Sequence, residues 1–142
     1  MNLNFDMAGP AVALGLSAIG SAAGCYIGGI ASIAAMARTE EGHGKFIGLA
    51  AAPSSQIIYG FILMLLMSQR IIEGTLPPLS ALAIGISSGT AIMLSALFQG
   101  RVCASGIEAT LKDPSVFGKC FATIGIIESF ALFSFVFPLL IM

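Results

Sequence analysis

One acidic residue stands alone among apolar neighbours. Glu128 lies in Ile126-Ile127-Glu128-Ser129-Phe130, inside the stretch from Phe117 to Met142, and is the only charged residue after Lys119. A carboxylate at the centre of a membrane helix costs about 2.5–3.5 kcal/mol on insertion scales. A chain that keeps one neutralises it, ligates something with it, or uses it. Other polar groups away from the turns are few: Ser54, Ser55, Gln56 and Tyr59 after Pro53, then Gln99, then Ser129. Ser55 and Tyr59 are four apart and share a helix face, with Gln56 adjacent. Pro53 has no N–H, so it interrupts the carbonyl ladder one turn back and tends to kink the helix.

These groups supply one carboxylate, two amide oxygens, a hydroxyl and backbone carbonyls. That is a shell for a hard cation, without the thiolate or imidazole that softer metals favour. One carboxylate balances a monovalent ion, whereas calcium and magnesium recruit more carboxylates or keep water. A proton would also neutralise Glu128 but needs no pair of glutamines, so the pattern favours Na+, with H+ as the alternative. Blander readings stand beside these. Gln56 and Gln99 could be helix–helix hydrogen-bonding groups only, Ser55 could bond its own helix, and Tyr59 could be an interfacial anchor. Arg101 is expected to snorkel toward the aqueous face, and His43 to be solvated.

The elements that position these groups follow from composition. The 142 residues are 57% hydrophobic and 9% charged, against about 25% charged in an ordinary soluble domain. With a mean hydropathy of +0.99, the chain reads as an all-α membrane protein, since lipid leaves open strand edges unsatisfied. At about 20 residues per span, the length allows four transmembrane helices. These are expected at Gly9 to Ala37, Phe46 to Ser68, Leu79 to Leu111 and Ser115 to Met142. The connections are Arg38 to Lys45, Gln69 to Pro78, and Lys112-Asp113-Pro114.

Met1 to Asp6 lack the basic start of a secretory signal, so the first apolar stretch is expected to be retained. Cys25, Cys103 and Cys120 are dispersed and expected to be buried free thiols. No organic cofactor motif and no basic stripe for nucleic acid is present. Arg38 and Lys45 sit in the first turn, and Lys112 and Lys119 near the last, while the middle linker carries Arg70. The positive-inside bias places both hairpin turns in the cytoplasm and both termini opposite.

Two hairpins, 1–74 and 75–142, resemble each other at an offset of about 72 residues. Each pairs a small-residue helix with a bulky helix carrying a polar residue mid-span, and Gln56 takes the place that Glu128 holds in the second copy. The repeat is parallel, unlike the inverted repeats of many carriers. The first helix presents Gly20, Gly24 and Gly28 on one face, which permits close backbone approach. Helix 3 is likewise rich in small residues, and helix 4 in phenylalanine. This segregation suggests a homo-oligomeric ring, small-residue helices 1 and 3 inside and helices 2 and 4 outside, facing lipid or partners. An isolated four-helix bundle is the alternative.

Essentially the whole chain resembles the rotor-ring proteolipid of V/A-type ATPases, the bacterial subunit K and its eukaryotic c-ring counterpart. Pro53-Ser54-Ser55-Gln56-Ile57-Ile58-Tyr59-Gly60-Phe61 is similar to the helix 2 motif of sodium-pumping members. Phe98-Gln99-Gly100-Arg101-Val102 is similar to their helix 3 motif, and Ile127-Glu128-Ser129-Phe130 to the essential carboxylate segment. The resemblance implies that Glu128, Gln99, Gln56, the Ser55 hydroxyl and the Ala52 carbonyl ligate Na+, with Tyr59 hydrogen-bonding the Glu128 carboxylate. Ser55 stands where sodium-type members carry Thr, and Ala52 where they carry a larger aliphatic residue.

The resemblance also implies a stator membrane subunit with an Arg facing Glu128. It implies central-stalk subunits at the turns 38–45 and 112–119, and ATP hydrolysis in other subunits. A prokaryotic plasma membrane is the expected location. One carboxylate per four helices moves fewer ions per revolution and favours pumping over synthesis. A small oligomeric proton-coupled carrier or channel is the rival class, opposed by the absence of Trp and of an evident aromatic cage. A plain membrane scaffold leaves Glu128 without a purpose.

Overall fold

The computed structural model describes residues 5–142; Met1 to Asn4, on which part of the leader reading rests, lie outside the described residues. The elements are α1 (Ala8–Met36), α2 (His43–Ala51), a 3-10 turn (Ala52–Ser54), α3 (Ser55–Ile72), α4 (Pro78–Lys112), a second 3-10 turn (Pro114–Val116) and α5 (Phe117–Leu139). They make four helical spans long and apolar enough to cross a membrane: Ala8–Met36, His43–Ile72, Pro78–Lys112 and Pro114–Leu139. The second is α2 and α3 in series, broken where Pro53 removes a donor from the ladder.

Three boundaries correct the sequence reading. The second span starts at His43 rather than Phe46, so His43, Gly44 and Lys45, expected in the turn, are helical. The second span does not stop at Ser68: Gln69, Arg70, Ile71 and Ile72, expected in the linker, are helical. Gln69 Nε2 donates to Glu73 Oε1 at 2.9 Å, one turn along. The true stop is Gly74 at φ +76°, with its N–H donating to the Ile71 carbonyl and that of Thr75 to the Arg70 carbonyl, both at 3.0 Å. That bonding closes the orphan carbonyls in a Schellman motif. The last span ends at Leu139 rather than Met142, one residue after Pro138.

Helices α1 and α4 form the most extensive contact, and glycine makes it possible. A methyl group at Gly20 would overlap the Met93 backbone, and one at Gly24 would overlap the Ala96 carbonyl and the Pro53 ring. Added at Gly100 it would overlap the Gly24 backbone, and at Gly28 it would crowd the Ala50 backbone of α2. At Gly20, Gly24 and Gly100 the main chains of α1 and α4 therefore touch directly, as small-residue faces allow. Apolar clusters lie toward the two ends. One joins Ala35, Phe46, Leu49, Cys103, Ile107 and Ile124; the other joins Ala13, Leu63, Met67, Leu76, Ala81 and Ile84. Gln56 and Gln99, both fully buried, occupy the level between them. The span containing α5 is the least buried of the four.

Candidate functional site

The proline break sets up the site. Without a Pro53 N–H, the Ala52 N–H turns to the Leu49 carbonyl, and the tightened 3-10 turn delivers Ser55, Gln56 and Tyr59 to the start of α3. Opposite them, α4 brings Gln99 and α5 brings Glu128. Three elements thus converge on one carboxylate.

Its two oxygens are treated unequally. Oε1 accepts from the Ser55 hydroxyl at 2.6 Å and from the Tyr59 hydroxyl at 2.9 Å. Among the described residues, Oε2 has only the Gln99 amide, at 3.5 Å, the outer limit of a hydrogen bond. Oε2 therefore retains capacity for a cation or proton. The Ser55 hydroxyl also lies 3.1 Å from the Ala52 carbonyl. It has a single hydrogen to give, and the shorter, charge-assisted bond to Glu128 takes it. That leaves the Ala52 carbonyl a spare lone pair.

Gln56 does not reach Glu128 directly. Its Nε2 donates to Gln99 Oε1 at 2.9 Å, while Gln99 Nε2 also donates to the Ile124 carbonyl at 3.3 Å. Gln56 Oε1 is buried with no hydrogen-bond partner among the described residues. An unsatisfied buried acceptor costs about 1–3 kcal/mol. The hydroxyl, amide and carboxylate groups linked here all offer oxygen, the donor type that suits a hard cation. Glu128 borders a crevice of about 440 Å³, walled by small residues including Gly48, Ala51, Ala52 and Gly125.

Two contributors were missed in the sequence. Ser95, one of the small residues of helix 3, donates to the Ile127 carbonyl at 2.8 Å. Ser95 and Gln99 are four apart on α4, and that spacing was the available signal. Phe135 stacks on Tyr59 with ring centroids 5.9 Å apart. Ser129 stays out of the site, donating to the Ile126 carbonyl of its own helix at 2.7 Å. Arg101 is exposed on α4. His43, expected to be solvated, is exposed but has Nε2 2.7 Å from the Thr39 carbonyl. The cysteines are free thiols: Cys103 is buried, while Cys25 and Cys120 are only partly so.

Comparison with known proteins adds an independent line. The profile of the ATP synthase subunit-C family matches residues 8–67 and again 82–141. The chain is 29% identical over 134 residues to the A-type ATP synthase subunit K of Methanocaldococcus jannaschii, covering 94% of this chain and 60% of that protein. It is 27% identical over 143 residues to the V-type sodium ATPase subunit K of Enterococcus hirae, covering 96% of this chain and 89% of that protein. The chain thus spans somewhat less than two thirds of the archaeal relative and most of the bacterial one.

Proposed function

Since the chain belongs to the ATP synthase subunit-C family, with the family unit present twice, we propose that it is a membrane rotor subunit of a V/A-type rotary ATPase. It carries Na+ on Glu128, in a ring of copies of itself. The chain itself is non-catalytic, and ATP hydrolysis resides in other subunits. The observation that carries the ion reading is the unequal carboxylate. Oε1 is held by two hydroxyls, while Oε2 faces only the Gln99 amide, at 3.5 Å, among the described residues. The relative named as a sodium ATPase subunit supports Na+ over H+.

In this reading, Glu128, Gln99, Gln56, Ser55 and the Ala52 carbonyl hold the ion, with Pro53 shaping the turn that presents them. The loaded site is neutral and faces lipid at low cost. At the stator, an Arg from that subunit favours the empty, ionised carboxylate, and the ion leaves. The small-residue faces of α1 and α4 suit the inside of the ring, and α3 and α5 the outside. The turns 38–45 and 112–119 face the cytoplasm and the central stalk, with both termini opposite, in a prokaryotic plasma membrane. One carboxylate serves four helices, so each ion draws on more ATP energy. Each charge moved costs about 2.3 kcal/mol per 100 mV, and the arrangement favours pumping.

Carbodiimide labelling tests the reading. Glu128 should be modified selectively, sodium should protect it, and Glu128→Gln should abolish ATP-driven ion transport while the protein still assembles. Transport that survives Glu128→Gln would overturn the assignment. Protection by raised pH alone would make the ion a proton.

A further inference from the structure

We infer that Phe135 is a positioning residue for the Tyr59 hydroxyl, and that its ring governs how readily Glu128 is released from its closed arrangement. The inference rests on the reading of Glu128 as the ion carrier. Phe135 lies seven residues beyond Glu128 on α5, two helical turns along and therefore on the same side. The other phenylalanines of this stretch turn outward: Phe130, Phe133 and Phe137 are 63%, 49% and 59% exposed. Phe133 and Phe137 stack only on each other, at 5.4 Å. Phe135 instead is partly buried against the cluster that contains Leu63 and Met67.

Tyr59 consequently touches α5 twice. Its ring face lies on Phe135, with centroids 5.9 Å apart and planes 19° from parallel, and its hydroxyl donates to Glu128 Oε1 at 2.9 Å. A tyrosine side chain has two torsions, and a stacked face restrains both, so the hydroxyl is pre-set where the carboxylate needs it. This stack is one of the few ties between α3 and α5, alongside the Ser55–Glu128 bond and the packing of Leu139 against the cluster of Leu63 and Met67. Ser55, the first residue of α3 and one helical turn before Tyr59, has no such aromatic support and holds Oε1 independently.

The test is a double-mutant cycle on the full chain in membranes, read as the rate of carbodiimide modification of Glu128 with and without sodium. In saturating sodium, Phe135→Leu should raise the rate about threefold to tenfold, the range expected of directly coupled residues. Phe135→Tyr, which keeps the ring, should stay at the wild-type rate. Tyr59→Phe should raise the rate as well, and adding Phe135→Leu to it should change nothing further. Thermal stability of each variant is recorded alongside. If Phe135→Leu does not assemble, Phe135→Met takes its place with the same expectation.

A wild-type rate in Phe135→Leu overturns the inference. So does an increase of the same factor in the Tyr59→Phe background, because simple packing would act without the hydroxyl. Lack of sodium protection in the wild type is the separate failure of the sodium reading. The coupling between Phe135 and Tyr59 is then read from the sodium-free rates, where the same non-additivity is expected.

Discussion

Gln56 of the first hairpin donates its amide N–H to Gln99 Oε1 of the second at 2.9 Å. The two belong to different copies of the family unit, residues 8–67 and 82–141. The first repeat has no carboxylate of its own at this level and lends its amide to the site of the second. This bond is internal and dry, both residues being fully buried.

Breaking that bond has a defined cost. Gln56→Leu keeps the volume but leaves Gln99 Oε1 without its donor, a loss of about 1–3 kcal/mol for a buried unsatisfied group. The expected result is a lower melting temperature together with weaker protection of Glu128 by sodium. Unchanged protection would remove Gln56 from the site.

Ser55→Ala deletes the shortest bond to Glu128, at 2.6 Å. A hydrogen bond to a charged group contributes about 1.5–3 kcal/mol, so carbodiimide labelling should accelerate and a higher sodium concentration should be needed to suppress it. Ser55→Thr, which retains the hydroxyl, should restore the wild-type sodium requirement.

If Glu128 carries sodium as proposed, protons and sodium exclude each other there, because a metal-ligating carboxylate must be deprotonated. Apparent sodium affinity should then fall as the pH is lowered. Titration of sodium protection at several pH values measures the slope; a flat profile would contradict competition.

Gly24→Ala should cost about 1–3 kcal/mol through overpacking, because the added methyl meets the Ala96 carbonyl and the Pro53 ring. Thermal unfolding of the detergent-solubilised protein measures the loss. Arg38→Gln provides the contrast. The Arg38–Glu108 pair is 3.6 Å apart with both side chains about half exposed, and exposed pairs contribute about 0–1 kcal/mol.

Asp113 should report pH at the last turn. Its Oδ1 accepts the Ser115 backbone N–H at 2.9 Å, and hydrogen bonding to Ser115 holds its carboxyl below the ordinary aspartate value. A lowered folded value means that the contribution is present above the ordinary aspartate range and lost as pH falls through the lowered value. Exchange of the Ser115 amide should accelerate in that acid window, and at all pH values in Asp113→Ala.

Much of the architecture was legible because the signals were compositional and long: four apolar stretches, two charged turns, and a proline before Ser55. The end of α3 was not. Gln69 and Arg70 look like linker residues by polarity, yet the helix continues until Gly74 supplies the left-handed residue that its carbonyls need. In the site, helical spacing groups Ser55 with Tyr59 and places Gln56 beside them, but spacing on one helix does not say which neighbour a side chain meets. That Gln56 faces Gln99 depends on how α3 and α4 rotate against each other. Ser95 carries a short side chain with no depth signal, so its bond to the Ile127 carbonyl emerges only when α5 is in place.

The direct backbone contact of α1 with α4 has a mechanical consequence. Where glycine lets the two main chains meet, sliding one helix along the other would drive backbone into backbone. Helix α5 is tied to that pair by Ser95 to the Ile127 carbonyl and by Gln99 to the Ile124 carbonyl and to Glu128, beside the apolar packing of Ile124. In the proposed rotor, a tangential load on Glu128 would therefore fall first on the least embedded span. Elastic give would sit in α5 rather than in the closely packed α1–α4 pair behind it.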